Sequence, residues 1–202
     1  MKKVLVTYAT MAGSTTEVAL AVGEEIMARG DEVDILPMEK VTSLDGYDAV
    51  VLGAPMIMGW HHSALGFLRK NRKQLERLPL AIFALAMTLT STGITNVNGV
   101  PVYADENLVK RPLNPVRPTF REHYADIRHY AAPILKAAGV ARPVSLAFFG
   151  GRVEFGRLKV PAMLFVMFII RAQPGDRRNW RAIRAWAGSL PGLFETQKQV
   201  EK

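Results

Sequence analysis

The sequence predicts an α/β domain built on a doubly wound parallel sheet of five strands in the order 2-1-3-4-5. Three observations carry that expectation. Five short apolar runs alternate with stretches of helical spacing, which is the pattern of a sheet with helices on both faces. Four of those runs are apolar almost throughout, as strands buried on both faces must be. Right-handed crossovers then fix the strand order and leave a ligand crevice beyond the carboxyl ends of the first and third strands.

The elements follow in chain order. Lys3–Tyr8 (KVLVTY), Glu32–Leu36 (EVDIL), Ala49–Gly53 (AVVLG), Leu80–Ala86 (LAIFALA) and Val144–Phe149 (VSLAFF) read as the strands. A helix is expected over about Ser14–Arg29, where Val18, Ala21, Val22, Glu25 and Ile26 keep helical spacing and Gly30 closes it. Two more are expected over about His62–Arg77 and Arg121–Ala138, the latter ended by Gly139. At 202 residues and 49% hydrophobic content the chain suits one domain spanning 1–202.

Two segments exceed this plan. Thr92–Phe120 holds Pro101, Pro112, Pro115 and Pro118, which exclude a long helix and a central strand, so it reads as an insertion after the fourth strand. Leu158–Ile170 (LKVPAMLFVMFII) follows the fifth strand and has no polar side chain from Val160 onward. As a helix those last eleven residues reach about 16 Å, too short for a hydrocarbon core of roughly 30 Å. An outer helix apolar all round must be covered, by the insertion, by a second subunit in a homodimer, or by lipid. Arg157, Lys159, Arg171, Arg177 and Arg178 bracket the apolar stretch in 157–171 as they would in an interfacial helix on anionic headgroups.

Composition removes several function classes. With no cysteine there is no disulfide, thiolate metal site or cysteine nucleophile, and the four histidines lack metal-ligand spacing, so no metal is expected. The acids offer no close catalytic pair. Met1-Lys2-Lys3 runs straight into a strand without a leader-like segment, which predicts a cytoplasmic protein, with 157–171 allowing a peripheral place on the inner face of the cell membrane. The net charge of +8 is concentrated: nine basic residues against two acids lie between Arg142 and Arg184. Because those arginines flank an apolar run instead of forming a polar stripe, nucleic acid is not the expected partner.

The stretch TYATMAGSTT, residues 7–16, leaves the first strand and enters the first helix. Helix N-termini present free N–H groups and a positive dipole end, hence bind anions. Thr10, Ser14, Thr15 and Thr16 add hydroxyl donors, and Gly13 lets the backbone approach a phosphate closely. The loop has no lysine for a triphosphate pattern and too few glycines for a dinucleotide fingerprint. Neutral donors suit a monophosphate ester. The same residues also fit an N-capped helix start, with Ser14 capping and Glu17 completing a capping box.

Thr10-Met11-Ala12-Gly13-Ser14-Thr15 resembles the phosphate loop of flavodoxin-like proteins, which wraps the phosphate of FMN. The resemblance extends to Gly53-Ala54-Pro55-Met56-Ile57-Met58-Gly59-Trp60 after the third strand and to Met87–Gly93 after the fourth, where that group flanks the isoalloxazine ring. It implies FMN as cofactor, held by Thr10, Met11, Ala12, Gly13, Ser14 and Thr15, by Pro55, Met56, Ile57, Met58, Gly59 and Trp60, and by Met87, Thr88 and Gly93. Met56, Met58 and Met87 would form apolar walls, and Trp60 would either stack near the dimethylbenzene edge or serve as a partly buried helix-start residue. His61 or His62 could relay a proton, though the sequence favours ordinary surface histidines.

Within that group the chain is most similar to menaquinone-dependent protoporphyrinogen dehydrogenases, on Tyr47–Gly53, Phe67–Arg72, Phe149–Val153 and Trp180–Ala187. This implies an FMN-dependent oxidoreductase passing electrons from a porphyrinogen-like substrate to a quinone. The alternative is a flavodoxin-type electron carrier between proteins; such carriers are usually acidic, and this chain is basic. Thr92–Phe120 departs from the resemblance, lies beside the expected active face, and leaves the substrate open. No acid or base emerges as catalytic.

Overall fold

The computed structural model describes residues 1–57, 59–91, 93–114, 116–153 and 175–200, with the side chains of 153 and 198–200 aside. The strands are β1 (Lys3–Tyr8), β2 (Glu32–Pro37), β3 (Ala49–Pro55), β4 (Leu80–Ala86), β5 (Leu89–Thr90), β6 (Asn96–Val97), β7 (Val100–Ala104), β8 (Val109–Lys110), β9 (Ser145–Gly150), β10 (Arg152–Val153) and β11 (Gly175–Asp176). The helices are α1 (Ser14–Met27), α2 (His62–Lys70), α3 (Arg72–Leu75), α4 (Phe120–Tyr124), α5 (Ile127–Ala138) and α6 (Trp180–Val200).

The main sheet runs β2-β1-β3-β4-β9-β7-β6. Its first five members are the expected strands in the expected order, all parallel. The count differs from the expected five because the insertion adds two strands beyond β9. β7 pairs with β9 in parallel and turns back on β6 through Asn98 and Gly99, both at positive φ as a tight two-residue hairpin requires. The expectation that the prolines exclude a central strand from this segment is therefore corrected, since β7 lies between β9 and β6. Pro101 is tolerated because the parallel ladder to β9 begins at Val102, past the residue that lacks an N–H.

Two helix boundaries also shift. The expected His62–Arg77 helix is interrupted at Asn71, and Arg121–Ala138 divides into α4 and α5 where Asp126 caps the second piece by accepting from the Arg128 N–H at 2.8 Å.

Every residue of β3, β4 and β9 is buried, so the sheet is covered on both faces. One face packs under α2 and α5, with Leu52, Leu68, Ile82, Ile134 and Phe148 at its centre. The other packs under α1 and α6, with Val22, Phe83, Phe149, Trp186 and Phe194. Trp186 meets Phe149 and Phe83 edge-on at 5.6 and 6.1 Å, and its indole N–H donates to Ser145 Oγ at 2.9 Å. Each such ring pair contributes about 0.5–1.5 kcal/mol beyond burial. Gly53 is required here, since any Cβ would run into the Phe83 ring.

α6 packs along α1, and its arginine meets α1's acids: Arg184 pairs with Glu24 at 3.2 Å. The C-terminal basic excess is thus partly neutralised within the fold. The apolar stretch 157–171 lies outside the described residues. On either side of residues 154–174, β10 and β11 pair antiparallel, Arg152 with Asp176 and Val153 with Gly175. Among the described residues no helix is long and apolar enough to cross a membrane.

Candidate functional site

Three loops leave neighbouring parallel strands at one edge of the sheet, after β1, β3 and β4. Hydrogen bonds continue past the strand ends and hold the loops level. The Ala9 N–H donates to Gly53 O at 3.0 Å, Met56 N–H to Leu85 O at 2.7 Å, and Gly151 N–H to Ala86 O at 3.0 Å.

The first loop, residues 9–13, is a preformed turn. The Gly13 N–H donates to Thr10 Oγ1 at 3.0 Å, and Gly13 sits at φ 87°, a left-handed conformation that disfavours a side chain. Gly13, with no side-chain cap, is the N-cap residue of α1. This corrects the capping-box reading: Ser14 is already helical, and Glu17 turns elsewhere. The N–H groups of Thr16 and Glu17 are directed at Gly13 O, while Ser14 and Thr15 occupy the first helical positions, whose N–H groups have no acceptor within a helix. Met11, Ala12 and Gly13 are half-buried, Thr10 is exposed, and Ser14 is buried.

Thr15 is the informative residue. It is fully buried, and its Oγ1 has no hydrogen-bond partner among the described residues. A buried hydroxyl left unpaired costs about 1–3 kcal/mol. Located in the first turn of α1, it is a donor awaiting an acceptor at the place where the helix dipole favours negative charge.

The electrostatics around the loop were not legible from the sequence. Glu17, a carboxylate one turn into α1, would oppose an anion there. Instead Arg152 Nη2 reaches it at 2.8 Å and Arg178 Nη1 at 2.7 Å. Hydrogen bonding to Arg178 holds the Glu17 carboxyl below its usual range, with burial opposing and Arg152 assisting. The Arg178 side chain is 3% exposed and also pairs with Asp176, whose carboxyl it likewise depresses. Its guanidinium lies 4.6 Å from the Trp180 ring.

In the second loop, Met56 and Trp60 form an antiparallel bridge around Gly59, which has φ 96°. Pro55 and Met56 are buried and Ile57 is half-buried. Trp60 is 4% exposed, its indole N–H donating to Ala54 O at 3.3 Å. The structure thus places it in the core beneath the loop, more deeply than a partly buried helix-start residue. Met58 lies outside the described residues. His61 caps α2, its Nδ1 accepting from the Ser63 N–H at 3.3 Å, and stacks on His62 at 4.5 Å. Burial, then the neighbouring His62, pushes the His61 pKa down, which favours neutral imidazole.

In the third loop Met87 is buried, Thr88 is half-buried and Gly93 is exposed at φ 84°. Arg177 Nη1 donates to Met87 O at 3.0 Å and the Arg177 N–H to Gly151 O at 3.0 Å, so residues 175–179 bind this loop to the end of β9. Asn179 continues the strap: its Nδ2 donates to Asp105 Oδ1 at 3.0 Å, and its Oδ1 accepts from the Ala182 N–H at 3.2 Å. Among the described residues there is no group of three or more potential metal ligands.

A doubly wound parallel sheet with loops meeting at the carboxyl ends of its strands defines an open α/β domain of the kind that binds ligands in that crevice. The chain belongs to the flavodoxin-domain family, whose model matches residues 5–178. A curated relative, protoporphyrinogen IX dehydrogenase [quinone] of Escherichia coli K12, is 29% identical over 86 residues, covering 41% of this chain and 48% of that protein. The chain therefore spans about half the length of that relative. A solved short-chain flavodoxin associated with a PDU bacterial microcompartment superposes with a TM-score of 0.51 at 13% identity, covering 95% of this chain and 98% of that one. At that identity the likeness speaks to the fold.

Proposed function

We propose that the protein binds FMN at the β1, β3 and β4 loops and acts as an oxidoreductase, taking electrons from a reduced porphyrinogen-like substrate and passing them to a quinone. The observation that carries the cofactor reading is the orphaned Thr15 Oγ1 at the start of α1, beside the Gly13 turn. Thr10, Ser14 and Thr15 hydroxyls with the adjacent N–H groups would hold the phosphate. Met56 and Met87 would face the ring system from neighbouring loops, with Pro55, Ile57, Gly59, Thr88 and Gly93 shaping the backbone around it; Trp60 would support the second loop from below. FMN, when bound, supplies one- and two-electron redox chemistry. The chain's own contribution is position and electrostatics: Arg152 and Arg178 offset the charge of the Glu17 carboxylate, which would otherwise repel the phosphate.

The porphyrinogen and quinone partners rest on the likeness to the dehydrogenase named above. The net charge of +8 supports them over an electron carrier, which docks through acidic surfaces. The apolar stretch 157–171, read from sequence, would let the protein meet the membrane where a quinone dissolves. Titration with FMN and with riboflavin tests the cofactor reading. FMN is expected to bind at least about tenfold tighter, since riboflavin lacks the group the cradle grips; equal binding overturns it. Anaerobic oxidation of protoporphyrinogen IX with a menaquinone analogue tests the enzyme reading, and rapid one-electron exchange with a ferredoxin reductase without that turnover selects the carrier. Flotation with acidic liposomes that survives Phe165→Asp and Phe168→Asp would remove the membrane contact.

A further inference from the structure

The insertion encloses space as well as extending the sheet. Between it and the third loop lies a cavity of about 410 Å³, within the roughly 300–1,000 Å³ of small-molecule sites. Met87, Thr88 and Thr90 form one wall, and the insertion with α4 forms the other.

That second wall has an aromatic side. Phe120 stacks on Tyr124 at 6.3 Å, and Tyr124 meets Tyr130 edge-on at 6.0 Å. Phe120 is 75% exposed and Leu113 beside it 92%, an apolar surface left in water. Burial raises the Tyr124 pKa while the Gly59 amide faces its oxygen, so the ladder also touches the second loop.

The cavity also carries charge. Lys110, Arg111, Arg121 and Arg177 all line the cavity. Among the described residues none of the four makes an ion pair with an acid. The one acid present, Glu122, is already engaged: its oxygens accept from the Leu113 N–H at 2.8 Å, the Thr119 N–H at 2.7 Å and the Thr119 hydroxyl at 2.8 Å. Four cations around one apolar hollow repel one another, and an anionic occupant relieves that repulsion. A lone inorganic anion would leave the rings unused. An aromatic body with carboxylates uses both.

We propose that this cavity is the reducing-substrate site, and that Lys110, Arg111 and Arg121 are its specificity-determining residues, selecting a flat aromatic or macrocyclic compound that carries carboxylates. The assignment of this ligand as the electron donor rests on the flavin reading above; the selectivity for carboxylates does not. Arg177, through Met87 O, would hold the occupied wall against the loop that borders the cofactor.

The test uses the full chain, with and without FMN, titrated with mesoporphyrin IX and with its dimethyl ester, followed by porphyrin fluorescence. The diacid is expected to bind at least about tenfold tighter than the diester. The double variant Arg111→Gln, Arg121→Gln should lose about that factor for the diacid, keep the wild-type affinity for the diester, and bind FMN as before. Both side chains are exposed, so the fold is retained; the charge reversal Arg111→Glu should weaken the diacid further. Equal binding of diacid and diester, or full diacid affinity in the double variant, overturns the proposal. If wild type selects the diacid but refuses FMN, the cavity stands and the flavin reading falls; the reverse pattern sinks the cavity alone.

Discussion

Replacing Thr15 with valine should change the protein in opposite directions depending on whether the site is filled. Valine keeps the shape and β-branching of threonine and removes only the hydroxyl. In the ligand-free protein that hydroxyl is buried and unpaired, so its removal should raise unfolding stability by about 1–2 kcal/mol. With FMN present the hydroxyl would bond to a phosphate oxygen, an interaction with a charged group worth about 1.5–3 kcal/mol, so the variant's affinity should fall about 10- to 150-fold. At ligand concentrations near 100 times the wild-type Kd, FMN adds about 2.7 kcal/mol to wild type but only about 0.3–1.4 kcal/mol to the variant, so the variant's advantage shrinks by about 1.3–2.4 kcal/mol and reverses wherever that exceeds the gain from losing the unpaired hydroxyl. Urea unfolding of both proteins, with and without FMN, reads all of this from the midpoints at constant m. A variant less stable than wild type without ligand and equal to it in FMN affinity would show that Thr15 has a structural partner, and the phosphate cradle would lose its main support.

Three further outcomes follow from the geometry. Arg178→Met removes a 3%-exposed guanidinium paired with two carboxylates that are each 41% exposed; allowing for solvent screening of those partners, the loss near neutral pH should be about 2–3 kcal/mol by chemical denaturation. Because Glu17 and Asp176 have folded pKa values below their unfolded ones, that contribution is complete above the unfolded carboxylate range near ~4 and is lost as pH falls through the folded values. The gap between wild type and variant should therefore close on acidification; a gap independent of pH would refute the pairing. Gly53→Ala forces a methyl group into the Phe83 ring and should cost about 1–3 kcal/mol in thermal or urea unfolding, whereas a neutral result would mean that the ring moves freely. Gly13→Ala must hold a side chain at φ 87°, costing about 1–2 kcal/mol and weakening FMN more than it weakens a porphyrin diacid in the separate cavity, as paired titrations would show.

The five long strands were legible because continuous apolar runs of this kind have few alternatives to double-sided burial, and their order followed from crossover handedness. The β6–β7 hairpin was also signalled, by Asn98-Gly99 between valines, but Pro101 argued against a strand; what the sequence could not show is that the ladder to β9 starts one residue later. α6 was not among the expected helices, although Ile183, Trp186, Ala187, Leu190 and Phe194 keep helical spacing. At the site, the turn at Gly13 and the start of α1 at Ser14 were legible from their local pattern. Arg178 was not, because its tie to Glu17 joins residues 161 apart and only the folded chain brings them together.

The two added strands also change what the sheet offers to other molecules. Without them β9 would form one margin: six buried residues, apolar and unshielded, a template for any stray chain. With them that margin is a two-residue strand ending in a tight reversal, and the opposite margin, β2, carries Glu32 and Asp34 pinned by Lys3. Both borders are thus poor nuclei for strand-by-strand growth, so a basic, apolar-rich protein gains resistance to fibrillar association from the same segment that shapes its pocket.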